Sequence, residues 1–174
     1  MIKYRKQIIY VFIFLVIILI GIYIYPIRIY KEYSGIIYRL GDSSYQETIE
    51  VTIDGYLSDG FFSRNKFEGT IIIGEKKLSK LKMYIDKYGR GDLSYYDEEL
   101  GEFPSFGTIY MKNVYEEITI TVLERKEPNS SSMLWTSEDG LMISAPAGNR
   151  DEALKVSKDL MNDVLMKEVL RKMN

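Results

Sequence analysis

The sequence predicts an α+β protein in which one membrane-spanning helix is followed by an antiparallel sheet with a single carboxy-terminal helix packed on its face. Three observations lead there: an uncharged run from Ile8 to Ile27, two-residue alternation of apolar and polar side chains from Glu47 onward, and an amphipathic stretch after Asn149. The expected segments are a basic head at 1–7, a span and signal anchor at 8–27, a juxtamembrane connector at 28–44 and a folded α+β domain at 45–174.

Residues 8–27 are apolar on every side, so they do not read as a surface helix. At about 1.5 Å per residue they reach roughly 30 Å, the thickness of a bilayer's hydrocarbon core. Tyr4, Tyr23, Tyr25 and Tyr30 fall near the two ends of the run, and no small-residue cleavage site follows it. Lys3, Arg5 and Lys6 before the run, against Arg28 and Lys31 after it, favour a cytoplasmic amino terminus with the folded domain outside a bacterial cell membrane. The lipid bilayer is therefore the first expected partner.

Composition narrows the chemistry. The chain has 174 residues with no Cys and no His, which removes thiol nucleophiles, Ser-His-Asp triads, disulfides and nearly all zinc or copper sites. Residues 1–31 hold five basic and no acidic side chains, so the remainder carries 18 basic and 25 acidic ones. An acidic body argues against nucleic-acid binding, which draws affinity from neutralised phosphates. No cofactor and no metal are expected.

Ile49, Val51 and Ile53 alternate with Thr48, Glu50 and Thr52 as a half-buried strand. Phe67, Gly69, Ile71 and Ile73 continue a second, and Leu81, Met83 and Ile85 form the inner face of a third, with Lys80, Lys82 and Tyr84 outward. Residues 86–104 read as a polar excursion. Alternation returns at 108–111 and at Ile118, Ile120 and Val122, giving a sheet of five to seven strands. Glu138-Asp139-Gly140 reads as a hairpin turn between Leu134-Trp135 and residues 141–144. Asn149 with Glu152 three residues on is a helix start. Ala153, Leu154, Val156, Leu160, Met161, Val164 and Leu165 then share one face. Beyond it the phase flips, and Met166, Val169, Leu170 and Met173 form a candidate partner face for an envelope protein.

Lys76, Lys77, Lys80 and Lys82 lie in a segment (75–90) of local charge +4 and are a candidate patch for an anionic polymer. Asp97, Glu98, Glu99 and Glu102 lie in a segment (92–102) of charge −5 whose spacing does not match a calcium loop. Tyr95, Tyr96, Phe103 and Phe106 surround it. Ser63-Arg64-Asn65-Lys66 and Ser79-Lys80-Leu81-Lys82 fit Ser-x-x-Lys without the companion motifs of that chemistry, and Gly89-Arg90-Gly91-Asp92 lacks the third glycine of a dinucleotide loop. The functional expectation is a non-enzymatic binding, sensing or assembly module at the cell envelope. The alternative is a membrane-tethered hydrolase acting on envelope polymers through paired carboxylates.

Overall fold

The computed structural model describes residues 7, 9–16, 18, 21, 25–58, 65–112, 115–125 and 132–172, with side chains from 163 onward left undescribed. Eight strands build the main sheet: β1 (Ile27–Arg39), β2 (Gln46–Ser58), β3 (Asn65–Ile73), β4 (Lys76–Ile85), β5 (Arg90–Ser94), β6 (Ser105–Lys112), β7 (Glu117–Val122) and β10 (Leu141–Ala145). A two-residue ladder joins β8 (Glu124–Arg125) to β9 (Met133–Leu134). Helix α1 includes the described helical residues 7, 9–16, 18 and 21, and helix α2 is Arg150–Lys172.

The sheet is antiparallel throughout, in the order β4-β3-β2-β1-β10-β7-β6-β5. The eight strands therefore follow one another around the sheet in chain order, with β10 returning to pair with β1 through Ile36↔Ser144 and Arg39↔Leu141. No ladder joins β4 to β5, yet they turn tightly at Asp86–Gly89. Two backbone bonds cross the seam at its ends: Asp86 N–H donates to Arg90 C=O at 2.8 Å and Tyr96 N–H to Ser79 C=O at 3.1 Å. The result is a nearly closed barrel. Eight strands enclose a space that side chains can fill, and Ile53, Phe67, Ile71, Leu78, Leu81, Met83, Leu93, Ile109, Ile118 and Ile120 are all fully buried within one core.

A second apolar layer lies outside the barrel. Ile36 and Tyr38 of β1, Met142 of β10, and Ala147 pack with Ala153 and Met161 of α2, which rests on β7, β10, β1 and β6. Under the helix Thr119 and Ser144 hydroxyls bond at 2.9 Å, and the Tyr38 hydroxyl meets Ser144 at 3.3 Å. The helix starts as its sequence predicts. Glu152 N–H donates to the Asn149 side chain at 2.9 Å, and the Glu152 carboxylate accepts from Gly148 N–H at 2.7 Å. Leu160 is buried on the same face, together with Ser157.

Several expectations are corrected. The fold is not an anchor helix followed by a sheet with a helix on one side, but an eight-stranded, nearly barrel-shaped antiparallel sheet with two helices. Among the described residues no helix is long and apolar enough to cross a membrane. Of the expected span, residues 9–16, 18 and 21 are described as helical. Tyr25 and Pro26 are not helical, and at Ile27 the chain is already paired with Leu57. The rest of the expected 8–27 span, residues 8, 17, 19, 20 and 22–24, lies outside the described residues. The single-pass membrane assignment, with its cytoplasmic amino terminus and external domain, rested on that span and falls with it. The segment 28–44, expected as a connector, supplies the central strand β1, paired with β2 along its length. Its alternation is blurred because Ile29 packs inside the barrel while Ile36 and Tyr38 are buried outside it, under the helix. Residues 90–94, expected within a polar excursion, form β5, and residues 133–134 pair with β8 rather than with β10.

Candidate functional site

Helix α2 covers one side of the barrel and leaves the outer face of β2, β3 and β4, with the first half of β1, open to solvent. The alternation of each strand decides what stands there. On β2, Val51, Ile53, Gly55 and Leu57 turn inward, so Glu50, Thr52, Asp54, Tyr56 and Ser58 turn out. On β3, Lys66 and Glu68 alternate with buried Phe67, and on β4, Lys82 and Tyr84 alternate with buried Leu81, Met83 and Ile85. Lys80 adopts a left-handed φ of 53° opposite the register shift between Gly69 and Ile71, a bulge that resets the inward phase of β4.

Register brings three tyrosines from three strands into one diagonal. Arg28, Tyr56, Glu68 and Lys82 form one cross-strand row, since Arg28 pairs with Tyr56, Tyr56 with Glu68 and Glu68 with Lys82. Tyr30 stands two residues to one side of that row, and Tyr84, opposite Lys66 and Ser58, two residues to the other. With strands about 4.8 Å apart and 3.3 Å per residue, Tyr30 to Tyr56 is roughly 8 Å and Tyr56 to Tyr84 about 12 Å. Their exposures of 56, 50 and 57 % show that all three rings are available to a partner.

The charges between the rings are already matched. Arg28 bonds Asp54 at 2.9 Å and lies 5.9 Å from the centre of the Tyr56 ring. Lys66 bonds Glu68 at 2.7 Å; that contact holds the Glu68 carboxyl below its ordinary range and the Lys66 ammonium above its own. Tyr30 donates to the Glu32 carboxylate, which raises the Tyr30 phenol. A cavity of about 290 Å³ borders this face, lined by Glu32, Tyr33, Ser34, Glu50, Val51 and Thr52.

The lysines singled out in the sequence divide between two places. Lys77 and Lys82 are exposed on the open side of β4. Lys80 turns to the seam, 4.4 Å from the Tyr96 ring and 3.8 Å from Glu98. Lys76 sits 4.9 Å from the Tyr95 ring and is raised above its usual range by a hydrogen bond to that phenol, with Asp97 and Glu99 adding to it. The acidic segment is thus folded back over the basic strand. Asp97 is spent on its own loop, accepting from Glu99 N–H at 3.0 Å and Leu100 N–H at 3.2 Å. Tyr96 and Phe103 pack with ring centres 5.1 Å apart, and Leu100 is exposed beside them. Arg90, Gly91 and Asp92 belong to β5, with Gly91 buried against Met83. Ser63 and Arg64 lie outside the described residues, as does Met173; Met166, Val169 and Leu170 lie on α2, their side chains outside the description. Among the described residues no group of three or more acidic side chains is placed to hold a metal ion. The tyrosine diagonal escaped the sequence reading because its members are 26 and 28 residues apart and only register aligns them.

No family model matches the chain, and neither a curated protein nor a solved structure matches it.

Proposed function

We propose that the protein is a non-catalytic binding module whose open face, on β1–β4, takes an extended, uncharged carbohydrate chain. The observation that carries this reading is the diagonal of Tyr30, Tyr56 and Tyr84, about 20 Å from end to end measured along the curved outer wall of the barrel. Aromatic rings offer apolar faces to the C–H side of a sugar, and the groups between them, Thr52, Asp54, Ser58 and Glu68, offer bonds to its hydroxyls. Rings spread along the barrel wall in this way fit a chain that follows its curvature rather than a compact molecule. Charge favours a neutral one: Arg28, Lys66, Lys77 and Lys82 are balanced by Glu32, Glu50, Asp54 and Glu68 across the same surface. Isothermal titration of the full-length protein with a neutral β-linked hexasaccharide tests the reading, with Tyr56→Ala and Tyr84→Ala expected to weaken binding. Affinity in both variants equal to that of the unchanged protein would remove it.

A second reading, a carboxylate-dependent hydrolase, is favoured by the cavity that has Glu32 and Glu50 on its wall. Glu50 pairs with Ser34 and Glu32 with Thr52, so the two acids are diagonal neighbours on one face, roughly 7–8 Å apart at the backbone. Glycoside cleavage uses two such acids with their carboxyl groups held a set distance apart across the bond that breaks. Release of reducing sugar from the same hexasaccharide, abolished by Glu32→Gln or Glu50→Gln, would favour this reading over simple binding.

A further inference from the structure

Strand β1 pairs with β2 from Ile27 to Tyr38, but with β10 only from Ile36 to Arg39. On that second side, among the described residues, the strand makes one other backbone bond, from Ala147 N–H to Ser34 C=O at 3.1 Å. Successive residues of an antiparallel strand turn their N–H and C=O groups to opposite sides. Ser34 turns its groups away from β2, and the β1–β2 register runs without a shift, so Glu32, Tyr30 and Arg28 turn theirs the same way. Among the described residues those groups meet no partner. The side chains here are open as well, since Ile27, Arg28, Tyr30, Lys31 and Glu32 are all exposed. The first half of β1 is therefore an uncovered strand edge, the kind that pairs with another chain.

Charge along this edge selects the partner. We infer that β1 of a second copy of this chain pairs with it, antiparallel, about a two-fold axis at Tyr30. In that register Arg28 faces the partner's Glu32, Glu32 faces the partner's Arg28, and the two Tyr30 residues face each other. Each of these pairs brings edge-facing N–H and C=O groups together, and opposite charges across an antiparallel pair stabilise it. Both charged groups are already held on the outer face, Arg28 by Asp54 at 2.9 Å and Glu32 by the Tyr30 hydroxyl. Lys31 falls opposite the partner's Ile29, so no like charges stand directly face to face. Neighbouring registers lose this match. An axis at Arg28, Lys31 or Glu32 sets that residue against its own copy, like charge on like. An axis at Ile29 puts Pro26, which has no N–H to give, opposite Glu32. The chain also bends at Tyr25, just before the strand, which lets each copy leave the pairing where Ala147 already occupies Ser34. The pairing leaves the outer faces of β2, β3 and β4 open and is independent of what they bind.

Sedimentation velocity of the full-length protein across a concentration series tests the inference, with Arg28→Glu, Glu32→Arg and an equal mixture of the two. The unchanged protein should dimerise. Each single reversal places like charges opposite one another twice and should weaken the dimer about tenfold or more. The mixture should restore it, because one copy then carries two acids against two bases of the other. Amide hydrogen exchange should show Tyr30 and Glu32 N–H protected in the dimer and fast in either single variant. Glu32→Arg carries the test by itself, through sedimentation and exchange, if the Arg28 variant does not fold. A protein that stays monomeric, association that survives both single reversals, or a mixture of folded variants that fails to pair would each overturn the inference.

Discussion

Arg39 grips Glu124 with two contacts, 2.7 Å and 3.0 Å, although 85 residues separate them in the chain. The same guanidinium donates to Asp139 C=O at 2.9 Å, so one side chain ties the end of β1 to β8 and to the turn before β10. Glu124 is the first cause of the rise in Arg39 basicity. Both groups are partly exposed, so the pair contributes on the modest scale of surface ion pairs. Glu124→Gln should cost about 1 kcal/mol in urea unfolding. Arg39→Ala should cost more, because it also leaves the Asp139 carbonyl without its donor. Equal losses would show that the Asp139 contact contributes nothing.

Alkaline pH should unfold the protein through its buried phenols. Burial pushes Tyr33 up to about 12 from the ordinary 10.0, and Tyr115 is raised further. Between the ordinary and the raised values the unfolded chain releases these protons and the folded chain keeps them. Stability from this source is therefore full below about pH 10 and falls as pH rises through the raised values. Absorbance titration at alkaline pH should show late-titrating tyrosines that ionise only with unfolding, and Tyr33→Phe should flatten the fall in melting temperature between pH 10 and 12.

Gly69 should not accept a side chain. It faces Gly55 across β2 and β3, and the Phe67 ring lies over the pair; a methyl at Gly69 would come within 2.6 Å of Gly55 Cα and 2.9 Å of the Phe67 ring. Gly69→Ala is expected to cost about 1–3 kcal/mol. The companion change Phe67→Leu should relieve part of that cost, which a double-mutant cycle by chemical denaturation would measure.

The start of α2 should depend on its cap. Asn149→Ala removes the acceptor for Glu152 N–H and should cost about 1 kcal/mol, a melting shift of roughly 2–4 °C in a chain of this size. Far-ultraviolet dichroism should change little at 25 °C, because Ala153, Leu160 and Met161 still dock the helix.

The strands legible in the sequence are those with one face in the core and the other in solvent. In β2 the residues Val51, Ile53 and Leu57 alternate with neighbours that are exposed or half-buried on the outer side. β1 loses that signature where α2 covers it, and it begins at the last residue of an apolar run whose other described residues are not in the sheet. β5 offers only Gly91 and Leu93 to the interior, too little to mark a strand among charged neighbours. Closure of the barrel leaves no periodic trace at all, since the pairing of Ile36 with Ser144 joins opposite ends of the fold. The helix start at Asn149 was legible because its bonds are local. The tyrosine diagonal was not, for the same reason in reverse: each tyrosine is unremarkable on its own strand.

The most direct test of the open face is the affinity of the full-length protein for a neutral β-linked hexasaccharide, measured by isothermal titration for the unchanged chain and for Tyr56→Ala, Tyr84→Ala and the double variant. Loss of one stacked ring should weaken binding by about 1 kcal/mol, several-fold, and loss of both should abolish measurable binding while the melting temperature holds. Undiminished binding by the double variant, or no binding by the unchanged protein, would contradict the assignment of that face.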